Sequence, residues 1–175
     1  MTDTRADTIV ETERLRIRRF HQGDAAFALV LLNEPAFLHY IGDKGVRTLD
    51  DARRYLRTGP LASYETHGFG PWLVERRADG LSIGLCGLLR REALDAPDLG
   101  FAFLESHWAQ GYAHEASSAV MRHVRETLWL TRIVAVTTLD NEASARLLGR
   151  LGFSYARMTR LADDEPELRL FVSDG

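Results

Sequence analysis

Between Asp98 and Leu139 the hydrophobic period changes twice. The stretch "DLGFAFLE" reads as a strand, with the apolar run Phe101 to Leu104 near its end. "HEASSAVMRHVRETLW" then carries Ala116, Ala119, Val120, Val124 and Leu128 at helical spacing, and "RIVAVTTL" is a β-branched run typical of a buried strand. Strand, helix and strand in that order make a crossover unit, so the chain is expected to build a sheet covered by helices. With 175 residues, 45% of them hydrophobic, one domain can bury a substantial core, whereas two domains would each be poorly packed.

The flanking segments fit around that unit. "RLRIRRF" alternates, with Leu15, Ile17 and Phe20 on one side and Arg14, Arg16 and Arg18 on a face expected to be solvated. "GDAAFALVLLNEP" predicts a helix that starts near Asp24 and closes at Asn33 and Pro35. A second helix begins at Thr48, with Asp51 completing a capping box, and is expected to break at Gly59 and Pro60. "GFGPWLVERRADGLSIGLCGLLRR" predicts two antiparallel strands joined at Asp79-Gly80. After the crossover unit, "DNEASARLLGRLGF" predicts a helix capped at Asp140 or Asn141 and stopped by Gly152, and "FSYARMT" and "ELRLFV" close the chain as strands.

Composition removes several classes of function. A formal net charge of -3 gives no global positive field for nucleic acid or an anionic membrane, so an anionic ligand must be held locally. The N-terminus lacks the apolar core of a signal peptide, and no run approaches the ~18 apolar residues of a membrane helix. A cytoplasmic protein is therefore expected, and the single cysteine, Cys86, reads as a small buried thiol. Glu105, His107, His114, Glu115 and His123 show no H-E-x-x-H spacing, and no metal is expected. Neither a P-loop nor the G-x-G-x-x-G dinucleotide fingerprint is present.

The turn "HWAQGYAHEA" is unusually bare. Gly111 lets the backbone approach a ligand, Ala109 and Ala113 add little bulk, and the following helix offers up to four unpaired N–H groups and the positive end of its dipole. A phosphate or pyrophosphate suits such a turn, although small residues also allow close packing of helix on sheet. "NEASARLLGRLGF" adds Asn141, Ser144 and Leu148 at helical spacing beside the preceding strand.

Together, "WAQGYAHEA" and "NEASARLLGRLGF", separated by a helix and a strand, resemble the GNAT acetyltransferase superfamily, and most closely its RimJ/RimL-type ribosomal-protein branch. "ETERLRIRRF", "GFGPWLVERRADGLSIGLCGL" and "DLGFAFLESHWAQGYA" follow the family's order, so the likeness covers nearly the whole chain. It implies an α+β fold: one domain over residues 9–173, after a frayed segment 1–8, with a mixed, mostly antiparallel seven-stranded sheet splayed between its fourth and fifth strands. It also implies acetyl-CoA as co-substrate. The backbone of Phe103 and Leu104 would meet the pantetheine arm and the acetyl carbonyl. The amides of Ala109, Gln110, Gly111, Tyr112, Ala113 and His114 would cradle the pyrophosphate. Asn141 would contact the arm, and Ser144 would lie near the sulfur as candidate general acid. Leu148 stands where many members carry a tyrosine acid, which rules out that mechanism. The base is unassigned among Asp98, Glu105, His107 and the acidic group Asp163 to Glu165.

The expected reaction is N-acetylation of a primary amine, a protein or peptide α-amine or a small amine, by direct attack in a ternary complex. An acyl-CoA-binding regulatory module without turnover is the alternative, and the oligomeric state, monomer or homodimer, is open.

Overall fold

A computed structural model describes residues 7–175. Eight strands form one sheet in the order β1-β2-β3-β4-β5-β6-β8-β7. They are β1 (Thr8–Glu11), β2 (Leu15–Arg18), β3 (Pro71–Arg76), β4 (Leu81–Leu89), β5 (Asp98–Phe103), β6 (Ile133–Thr138), β7 (Ser154–Thr159) and β8 (Leu168–Ser173). The expected count of seven is corrected to eight by β1, which pairs antiparallel with β2 at the sheet edge. The segment expected to fray lies outside the described residues up to position 6, and Thr8 already belongs to β1.

Every neighbouring pair is antiparallel except β5 and β6, which run parallel and share a single register pair, Asp98 with Val134. Val134 N–H also reaches the Pro97 carbonyl at 3.0 Å, and beyond that point the strands part. The splay therefore lies between the fifth and sixth strands, one later than the family count, because β1 precedes the expected first strand.

The helices are α1 (Ala25–Leu32), α2 (Pro35–Tyr40), α3 (Leu49–Leu56), α4 (Ala62–His67), α5 (Tyr112–Glu126) and α6 (Glu142–Arg150). Thr48 caps α3 through the predicted box, its hydroxyl accepting from Asp51 N–H at 3.1 Å. Gly59 and Pro60 do not end the helical path. They lie in a π turn, Arg57–Leu61, that carries α3 into α4, which stops at the left-handed Gly68. Pro35 likewise opens α2 at its first turn, where a missing N–H costs nothing.

Two main cores form on opposite faces of the sheet. Leu15, Ile17, Val74, Phe103, Ala116, Val120, Val124 and Ile133 pack together where α5 covers one face. Phe20, Leu31, Leu32, Phe37, Leu56 and Leu73 fill the other under α1, α2 and α3. Arg18 leaves its expected solvated face: it is 4% exposed and bonds Asp24 through both terminal nitrogens at 2.9 Å and Glu75 at 3.0 Å. A buried guanidinium is tolerated because both carboxylates share its donors.

Candidate active site

The register of β4 on β5 decides which backbone groups face the splay. Phe103 stands opposite Gly84, and Leu104 N–H donates to the Ile83 carbonyl at 3.0 Å. That bond makes Phe103 and Gly84 a non-hydrogen-bonded pair, so Phe103 N–H turns away from β4 toward β6. Alternation gives Phe101, opposite Cys86, the same orientation. Where β6 has diverged, these two amides have no strand beside them. The sequence pointed to Phe103; Phe101 emerges only from the register. Gly84 permits the arrangement, because a Cβ there would meet the Phe103 ring at 2.5 Å and the Ala102 carbonyl at 2.6 Å.

Leu104, expected beside Phe103, has its backbone committed: besides the bond to Ile83, its carbonyl accepts from His107 N–H at 2.9 Å. The Phe103 carbonyl accepts from the Trp108 indole at 2.8 Å, which ties the turn to the end of β5. Ala109 adopts φ 58° and Gly111 φ 81°, two left-handed residues within three positions. Such alternation gathers successive N–H groups into an anion-binding concavity. Among the described residues, Gln110, Gly111, Tyr112, Ala113 and His114 have no hydrogen-bond partner for their N–H groups; the first bond of this turn is from Glu115 N–H to the Gly111 carbonyl at 3.1 Å.

Arg14 also belongs to this turn. Its guanidinium donates to the Gln110 carbonyl at 2.9 Å and to Glu115 at 2.9 Å, and its Cζ lies 4.4 Å from the centre of the Tyr112 ring. A Cβ on Gly111 would come within 3.3 Å of it. The alternating pattern of β2 gave no sign of this contact, which joins segments 96 residues apart.

On the other side of the splay, α6 begins at Asn141, whose side-chain oxygen accepts from Ser144 N–H at 3.1 Å. Asn141 thus serves as N-cap and keeps its amide NH2. Ser144 is half-buried and its hydroxyl has no partner among the described residues. Leu148 is buried in the core. Among the described residues, buried atoms without a partner lie at both strand ends, His107 Nδ1 after β5 and Thr137 Oγ1 and Thr138 Oγ1 at the end of β6.

The candidate bases differ sharply. Asp98 is 1% exposed, pairs with Arg91 at 3.4 Å and leaves Oδ1 without a partner among the described residues; burial pushes its carboxyl up to about 6. Glu105 is exposed and accepts from Ala36 N–H at 3.2 Å. Asp163, Asp164 and Glu165 are exposed in the turn between β7 and β8. Cys86 is fully buried, and burial raises its thiol to about 12, so it is a packing residue. Among the described residues no cluster of three or more His, Cys, Asp or Glu is arranged to hold a metal, and no helix is long and apolar enough to cross a membrane.

The Acetyltransferase (GNAT) domain family matches residues 14–154. An N-acetyltransferase of Bacillus subtilis, YoaA, is 32% identical over 154 residues, which is 87% of this chain and 86% of that protein. Among solved structures, an acetyltransferase from Agrobacterium tumefaciens is similar with a TM-score of 0.78 at 24% identity, covering 93% of this chain and 92% of its own. RimL, the ribosomal L7/L12 α-N-protein acetyltransferase, solved with coenzyme A, is similar with a TM-score of 0.81 at 18% identity, covering 95% and 97%. A turn of N–H groups without partners, an open splay and a family match over most of the chain agree, and the chain belongs to the GNAT acetyltransferases, enzymes of acetyl-CoA-dependent acetyl transfer.

Proposed function

We propose that this enzyme acetylates a primary amine, which attacks the thioester directly while both substrates are bound. The observation that carries the reading is the pair of amides, Phe101 and Phe103, turned into the splay beside a helix N-terminus, with no partner for these or for the helix's first amides among the described residues. Gln110 to His114 hold the pyrophosphate through backbone N–H, with the Arg14 charge close by. Phe103 and Phe101 N–H donate to the arm and to the carbonyl oxygen along the open edge of β5. One of them stabilises the oxyanion that forms on attack, a kind of contact worth on the order of 3 kcal/mol. Asn141 offers its free NH2 to the arm. The Ser144 hydroxyl donates a proton to the departing thiolate and regains one from the attacking nitrogen. The acceptor belongs to the α-amines of proteins and peptides or to small amines; the former is what RimL is named for.

The test is calorimetric titration with acetyl-CoA followed, in one preparation, by free-thiol release with a panel of amines. The panel contains peptides with N-terminal serine or alanine, free amino acids, a polyamine and an aminoglycoside. Binding with amine-dependent thiol release is expected. Binding without release from any amine would favour the regulatory module, and absence of binding would overturn the site.

A further inference from the structure

The base left unassigned by the sequence has a candidate in α2, a helix the sequence did not predict. Residues 36 and 39, one turn apart, each touch one side of the splay. Ala36 N–H donates to the carboxylate of Glu105, two residues beyond the end of β5. His39 Nε2 lies 2.6 Å from Asp140 Oδ2, two residues beyond the end of β6 and next to Asn141. Helix α2 therefore bridges the two strand ends at which the proposed reaction takes place.

The chemistry of the His39–Asp140 contact fixes how the imidazole is used. The His39 bond holds the Asp140 carboxyl below its usual range, so the carboxylate is an anion and can only accept. Nε2 must then carry the hydrogen, which leaves the Nδ1 lone pair free in the neutral ring. Nδ1 has no partner among the described residues, and the side chain is 60% exposed. An exposed contact of this kind adds little to stability. It does orient an imidazole at the mouth of the splay, whereas Asp98 is sealed under Arg91 and Glu105 is committed to Ala36.

We infer that His39 is the general base of the acetyl transfer and that Asp140 is its positioning residue, an inference that rests on the reading of an amine acceptor. An α-amine has a pKa of about 7.7–8.0 and enters mostly as the ammonium ion. Nδ1 of His39 takes one proton from that ammonium. The freed nitrogen forms the C–N bond at the thioester carbonyl, the C–S bond breaks, and the sulfur receives through Ser144 the second proton lost by the nitrogen. The imidazolium then returns its proton to water, so one ammonium ion and one thioester give one amide, one thiol and one proton.

The test compares wild type with His39→Ala and Asp140→Asn, using acetyl-CoA and whichever panel amine the wild type acetylates fastest. His39→Ala is expected to lower kcat/KM by at least about a hundredfold, the scale of general-base catalysis. The calorimetric Kd for coenzyme A should stay within about twofold, and added imidazole should restore part of kcat in His39→Ala only. In the ligand-free wild type, the long-range 15N spectrum of His39 should show the Nε2–H tautomer. Asp140→Asn should shift it toward Nδ1–H and lower kcat. Normal turnover by His39→Ala, a loss that imidazole does not relieve, or an Nδ1–H tautomer in the wild type would overturn the assignment while leaving acetyl transfer intact. A wild type that binds coenzyme A and acetylates no amine would overturn the functional reading and the base with it.

Discussion

Replacing Asp98 with asparagine isolates the cost of burying one charge beside the splay. Burial pushes the native carboxyl up from 3.8 to about 6, because it disfavours the anion more than Arg91 favours it. A raised native pKa means that the folded state binds the proton more tightly than the unfolded chain. This group therefore costs the fold nothing below the lower value, and its full penalty is present above the higher one. A rise of that size corresponds to on the order of 3 kcal/mol, of which about 2 develops between pH 4.5 and 8. Asparagine cannot ionise, but it leaves one buried polar atom unpaired at every pH. In urea unfolding at both pH values, the variant's stability relative to wild type should therefore improve by about 2 kcal/mol at pH 8 over pH 4.5. The pH dependence of every other carboxylate cancels in that comparison. A relative stability that is flat with pH, or that moves the other way, would refute the buried, poorly compensated state of Asp98.

Three further substitutions test the site and its support. Gly111→Glu places a carboxylate at a left-handed position beside the free amides and against Arg14; coenzyme A binding measured by calorimetry should fall below detection, and unchanged binding would remove the turn from the site. Ser144→Ala should lower kcat by about ten- to a hundredfold with little change in coenzyme Kd, whereas equal turnover would take Ser144 out of the mechanism. Gly87→Ala would bring a Cβ to 2.1 Å from the Gly70 carbonyl and 2.9 Å from Pro71 Cα, both backbone atoms. It should destabilise the fold by about 3 kcal/mol or more, read as a drop in thermal midpoint, and a midpoint unchanged from wild type would contradict the close approach of β3 and β4.

What the sequence made legible is what local chemistry controls. The double change of period from Asp98 to Leu139, the Asp79-Gly80 hairpin and the Thr48 capping box each lie within a few residues of the structure they specify. Asn33 and Pro35 were correctly a stop for α1, but the proline also starts α2, since the signals for an ended helix and a newly opened one coincide there. Gly59 and Pro60 failed as breakers because a π turn accommodates them. The remaining differences depend on partners distant in the chain. Arg18 needs, besides the nearby Asp24, Glu75 from 57 residues later, Arg14 reaches its turn across 96 residues, and His39 meets Asp140 across 101. The two motifs located the turn and the Asn141 cap, whereas the Phe101 amide depends on a strand register that no motif encodes.

The single ladder pair between β5 and β6 also bears on how the chain folds. Strands β1 to β5 are neighbours in sequence order and pair antiparallel throughout, and β6, β8 and β7 form a second antiparallel leaf from residue 133 onward. Each leaf is contiguous in the chain, so each can form its ladders without the other, and during synthesis the first leaf is complete before β6 exists. The parallel junction, with little backbone pairing to gain and the whole of α5 to close over, is the step expected last. The gap through which the enzyme is proposed to work is thus also the seam along which its two halves are expected to join.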